Sequence, residues 1–173
     1  TGPGFLEPSS LARRAAAASA LTKASFPDSR PAIIDFARDL ATRGITLVVV
    51  PAPVKPTIHP DRLTRRLTAA DAPLHNRSYA DWIDDLRQAG VLVFDPTPVL
   101  LAAGASGPPA YLETDTHWRP PAMEATAVAL AAFVTGQVSL PAVAPPGYRV
   151  EPREARQPGD TAAMLEVWTA LLP

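Results

Sequence analysis

The chain has 173 residues, with 16 Lys+Arg against 17 Asp+Glu, 47% hydrophobic and 19% charged residues, which is the composition of a globular domain rather than a fibrous or disordered one. The near-zero balance and the absence of any basic cluster beyond Arg13-Arg14 and Arg65-Arg66 argue against nucleic acid as a partner. Zero cysteines exclude thiol catalysis, disulfides and Cys-rich zinc sites, and the longest strongly apolar run, 45–53, is far short of the roughly 20 residues that cross a bilayer.

Residues 11–22, Ala-rich and following Ser9-Ser10, read as a helix. A second helix is expected over 28–43, with Pro31 near its start and Ile33, Ile34, Ala37, Leu40 and Ala41 on one face, stopped by Gly44. Residues 45–50, Ile-Thr-Leu-Val-Val-Val, have the pattern of a strand covered on both faces. The rhythm then repeats. A helix over 77–89 carries Tyr79, Trp82, Ile83 and Leu86 toward a core, Gly90 ends it, and 91–94 form a second short buried strand. Helix, glycine, apolar strand and loop, twice over, predict an α/β fold with a parallel sheet whose ligands lie beyond the carboxyl ends of the strands, in the loops 51–61 and 95 onward.

Farther along, 96–103 predict a short helix, Tyr111-Leu112 an extended piece, and 120–134 a helix with Met123, Ala127, Leu130, Ala131 and Val134 inward. The Pro-rich stretch 136–158 reads as a covering loop. Gly159-Asp160-Thr161 is placed to cap a last helix reaching Trp168, before the apolar end Leu171-Leu172-Pro173.

Three histidines are available for chemistry. His59 follows the first strand in Thr57-Ile58-His59-Pro60-Asp61 and is either ligand-facing or a plain loop residue; His75, in a polar stretch before a helix, has less claim. His117 lies in Glu113-Thr114-Asp115-Thr116-His117-Trp118. On extended backbone, residues two apart share a side, so the Asp115 carboxylate can reach the His117 imidazole, fix its tautomer and stabilise its protonated form, as a general base requires. The alternative is a local turn hydrogen bond ahead of the helix opened by Pro120-Pro121. No serine stands in a Gly-x-Ser-x-Gly elbow or a Gly-Asp-Ser turn, so either the nucleophile lies outside this chain or water is activated directly. Lys55, one of only two lysines, meets either an anionic group beyond the strand or plain solvent; Trp118 either stacks on a sugar or plugs the core. Arg119 reads as solvated, and no metal-ligand spacing is present, so neither metal nor cofactor is expected.

The segments Val49-Val50-Pro51-Ala52-Pro53-Val54-Lys55-Pro56-Thr57-Ile58-His59-Pro60, Ser78-Tyr79 leading to Gly90-Val91-Leu92-Val93-Phe94-Asp95, Tyr111 through Trp118, and Gly159-Asp160 before Met164-Leu165 resemble the SGNH-hydrolase-like domain of the alginate O-acetyltransferase (AlgJ/AlgX) family. The likeness runs from about Gly4 to Leu165, and Thr-Asp-Thr-His-Trp is its most specific element. It implies an SGNH-like (flavodoxin-like) parallel sheet flanked by helices, incomplete in one domain over 1–173, and a periplasmic enzyme that acetylates hydroxyls of an exported polysaccharide through a Ser-His-Asp triad. On that reading Asp115 and His117 are catalytic, Lys55 and Trp118 bind substrate, and the serine follows beyond Pro173, which would leave the chain alone inactive. The implied partners are a polysaccharide acceptor, an acetyl donor and membrane-bound acetyl-transfer proteins. An acetyl esterase of the same fold, and a silent polysaccharide-binding or assembly module, are the competing readings.

Overall fold

A computed structural model describes residues 28–142, 147, 149, 151, 153–154 and 159–165. The helix expected over 11–22, about half of the covering loop in 136–158, the end of the last helix at Trp168 and the apolar terminus lie outside the described residues. Two compact units divide the chain, Thr1–Val49 with His75–Val93, and Val50–Leu74 with Phe94–Pro173.

In the first unit, α1 (Arg30–Ala41) starts with Pro31 in its first turn and is followed by a turn closing on Gly44, whose φ of 69° suits a residue without a side chain. The strand β1 (Val48–Val49) follows, then α3 (Tyr79–Gln88), stopped by Gly90 at φ 85°, and β2 (Leu92–Val93). Chain order places a short helix, α2 (Lys55–Ile58), between β1 and α3, and that helix belongs to the second unit. The two strands pair in parallel, Val48 with Leu92 and Val49 with Val93, the pairing that the repeated rhythm predicts.

Both strands are shorter than expected. A ladder extends only where a partner backbone continues, and outside the two paired residues Ile45 and Val50 remain exposed, so β1 is half-buried rather than covered on both faces. Ile83, Leu86, Val91 and Val93 form this unit's core, and Ile33, Ile34, Ala37, Leu47, Val49, Tyr79 and Trp82 pack against it, as the helical spacing predicts. Arg30 locks α1 to α3 by pairing with Asp85 while its Nε also bonds Asp28.

The second unit holds α2, single 3-10 turns at Pro60–Arg62 and Ala69–Asp71, α4 (Thr97–Ala105), α5 (Pro120–Gln137) and α6 (Asp160–Met164). Its core is Ile58, Leu100, Ala110, Tyr111 and Ala122. The described residues are thus rich in helix, with one small parallel sheet in the first unit.

The inward face of α5 differs from expectation. Ala122 and Thr126 are buried and Phe133 meets Phe94 at 5.5 Å between ring centroids, whereas Met123 is 52% exposed and Ala127 and Ala131 also face outward. This helix is apolar nearly all round, so its sequence contains no polar stripe to choose a face, and packing on α4 chooses it instead. Thr126 tolerates burial because its hydroxyl donates to the Ala122 carbonyl at 2.8 Å.

Candidate functional site

The candidate site is built on a hairpin. Tyr111 and Trp118 form an antiparallel bridge, closed by Leu112 N donating to His117 O at 3.1 Å and Arg119 N donating to Ala110 O at 2.7 Å. Tyr111 is buried, its hydroxyl bonded to the Pro53 carbonyl, and Trp118 stands edge-on to it with centroids 6.5 Å apart. The two arms are therefore anchored in the core while 112–117 turn outward between them. Arg119 Nε donates to Tyr111 O at 3.3 Å, so this side chain is tied to the hairpin rather than merely solvated.

Asp115 and His117 meet through a tight turn, not along the extended backbone that the spacing implied. Asp115 Oδ1 accepts the backbone N–H of His117 at 2.9 Å, the geometry by which Asp mimics a turn, and lies 2.6 Å from His117 Nδ1. The imidazole is 77% exposed, whereas the carboxylate is 19% exposed. Nδ1 faces the acid, and no described residue bonds Nε2, so the second nitrogen is open to solvent.

A further carboxylate, unassigned in the sequence beyond a capping role, completes the cluster. Asp160 opens α6; its Oδ1 accepts Thr116 N at 2.7 Å, its Oδ2 accepts the Thr116 hydroxyl, and its own backbone N–H donates to Asp115 Oδ2 at 3.2 Å. Ala162 N reaches Thr114 O at 3.3 Å. Gly159 approaches Thr114 so closely that any Cβ there would overlap the Thr114 carbonyl. The one sequence signal for this arrangement was the Gly159-Asp160 pair ahead of a short helix.

These contacts set the protonation states. The His117 ring and backbone hydrogen bonds hold the Asp115 carboxyl down to about 2. In return, the hydrogen bond and charge of Asp115 raise the His117 pKa above its ordinary 6.5, with Asp160 adding a smaller push. The Asp160 carboxyl is lowered chiefly by the Thr116 hydroxyl. Asp115, His117 and Asp160 offer three ligand atoms within 4.8 Å of one another and could hold a cation, although each carboxylate oxygen already accepts an N–H or O–H.

Lys55, at the start of α2, points its ammonium into the same hairpin: Nζ donates to the carbonyls of Leu112 at 2.5 Å, Glu113 at 2.6 Å and Asp115 at 3.2 Å. Burial lowers its pKa, opposed by the charges of Asp115, Glu113 and Asp160. Beside it lies a cleft of about 260 Å³ lined by Lys55, His59, Arg62, Pro109, Tyr111 and Glu113. His59 Nε2 is buried without a partner among the described residues, and burial lowers this histidine's pKa, favouring the neutral ring. His75 belongs to the first unit, stacked on Tyr79 at 4.0 Å. Of the described serines, Ser29 accepts from Trp82, Ser78 bonds Asn76 and Ser106 bonds the Ala102 carbonyl, while Ser139 is exposed.

Among the described residues no helix is long and apolar enough to cross a membrane. No solved structure matches the chain. It is similar to the probable alginate O-acetylase AlgJ of Pseudomonas aeruginosa, 35% identical over 97 residues that make up 56% of this chain and 24% of that protein, so the match spans about a quarter of the relative's length. Residues 12–171 match the SGNH hydrolase-like domain of the acetyltransferase AlgX, and with nearly its whole length covered the chain belongs to that family.

Proposed function

We propose that this chain supplies the acid–base pair of an O-acetyltransferase that modifies hydroxyls of an exported, alginate-like polysaccharide. The observation that carries the reading is the His117 ring, open to solvent at Nε2 and tied through Nδ1 to an ionised Asp115. A ring so held accepts a proton at Nε2 while the carboxylate stabilises the resulting imidazolium.

The chemistry then runs in two balanced halves. A serine hydroxyl, which the resemblance puts beyond Pro173, attacks the acetyl carbonyl of the donor; its proton passes to Nε2, and the leaving group departs with that proton. A sugar hydroxyl next attacks the acetyl-serine, again giving its proton to Nε2, and the serine oxygen recovers it. Asp115 stays ionised throughout, orienting the ring. The two parallel strands are, on this reading, part of a flavodoxin-like sheet, and the setting is the periplasm, with an acetyl donor and membrane-bound partners supplying the group. Trp118, fixed edge-on to Tyr111, holds the hairpin and offers the exposed part of its ring to a sugar.

The test uses the intact protein with a chromogenic acetyl ester. Turnover accelerated by added oligosaccharide and abolished by His117→Ala supports transfer. Turnover indifferent to oligosaccharide identifies an esterase. Acetylation that survives His117→Ala unchanged, with glycan binding intact, identifies a silent binding module.

A further inference from the structure

We propose that Lys55 is a positioning residue, the internal cation that shapes 112–117 so that Asp115 and His117 meet. It rests on the acyl-transfer reading for its effect on rate, while its structural part stands on the hairpin alone.

Three backbone carbonyls, from Leu112, Glu113 and Asp115, converge on one nitrogen 57 to 60 residues away in sequence. Carbonyl oxygens gathered at one point repel one another, and partial burial removes the water that would otherwise satisfy them. A lysine ammonium answers this with three N–H donors on a single atom. An amide offers two, and the guanidinium of arginine spreads its donors over a planar fork that cannot converge so tightly. With all three N–H groups engaged, the ammonium has none left for a substrate. The third bond falls on the carbonyl of Asp115 itself, so Lys55 acts on the residue whose side chain orients the ring. Asp115, Glu113 and Asp160 face the ammonium as anions and Arg119 as a cation, so the surrounding charge also favours a cation there.

The experiment combines acceptor kinetics with NMR titration of the His117 ring in the intact protein, for Lys55→Met and Lys55→Arg. Groups facing the ring are Asp115 and Asp160. For Lys55→Met, kcat is expected to fall about 10²-fold, the usual effect of a small misplacement, with acceptor KM nearly unchanged. The His117 pKa is expected to drop toward that of a free imidazole as the Asp115 contact loosens. Loss of a neighbouring positive charge alone would instead raise it, so the direction separates positioning from simple electrostatics. Lys55→Arg keeps the charge and guards against a folding failure of the methionine variant; it is expected to lower both kcat and the His117 pKa. A higher acceptor KM at unchanged kcat, a His117 pKa that rises or stays put, or an arginine variant equal to the parent overturns the proposal. Should the parent lack acetyl transfer altogether, the acyl-transfer reading fails, and the ring titration still decides the role of Lys55.

Discussion

Oδ1 of Asp115 serves His117 twice: it accepts the backbone N–H at 2.9 Å and faces ring Nδ1 at 2.6 Å. One oxygen thus closes the turn and orients the imidazole, which makes the pair local in construction. Its surroundings are not local, because Thr116 is held by Asp160 and the hairpin carbonyls by Lys55.

Asp115→Asn separates the two services of that oxygen. The amide carbonyl can still accept the His117 backbone N–H, so the turn persists and the melting temperature moves by only a few degrees. It cannot stabilise an imidazolium, and acetyl transfer is expected to fall about 10³- to 10⁴-fold, by analogy with triads that lose their acid. Steady-state rates and thermal unfolding of the same preparation check both halves; equal loss of folding would make the residue structural.

The pH dependence follows from the opposite shifts of the pair. On the acyl-transfer reading His117 would act as a base only when neutral, and its folded pKa lies above 6.5, so the rate is expected to climb with pH on a limb above that value. Asp115→Asn moves the limb to lower pH. For stability, the raised histidine contributes fully below 6.5 and its contribution is lost as pH rises through the folded value. The lowered carboxyl contributes above 3.8, and that contribution is lost as pH falls toward about 2. Denaturant unfolding of parent and Asp115→Asn should therefore differ most between roughly pH 4 and 6.5.

Gly159→Ala tests the docking of α6. The added Cβ would occupy the Thr114 carbonyl, so the turn must retreat and the bonds from Asp160 to Thr116 are lost. Transfer is expected to fall about 10²-fold through misplacement of the ring. Protection of the Thr116 and Asp160 amides from hydrogen exchange should fall with it; parent-like protection would show that the contact is dispensable.

Core truncations set the scale for these effects. Leu86 and Leu100 have no exposed surface, and replacing either by Ala should cost about 2–5 kcal/mol in chemical denaturation. Val128→Ala, at a position 72% exposed, is expected to stay within about 0.5 kcal/mol. A large loss at Val128 would mean that this face of α5 is covered.

The glycines after α1 and α3, the parallel pairing and the core face of α3 were legible because each is signalled within a few residues: a positive φ, a β-branched run, an i, i+3, i+4 spacing. The face of α5 was not, because a uniformly apolar helix has no local asymmetry. The pairing of Asp115 with His117 was legible from spacing, although its geometry is a turn rather than a strand.

What the sequence determined by itself, then, is the helix–strand alternation of the first unit and the proximity of one acid to one imidazole, the former from backbone periodicity over short spans and the latter from a two-residue spacing that a tight turn closes. Only the tertiary structure decided that Lys55 would spend its ammonium on three carbonyls 57 to 60 residues away and that Asp160 would close on Thr116 across 44. Contacts at such separations depend on how whole elements pack and which polar groups burial leaves in need of a partner, and no short window of residues carries that information.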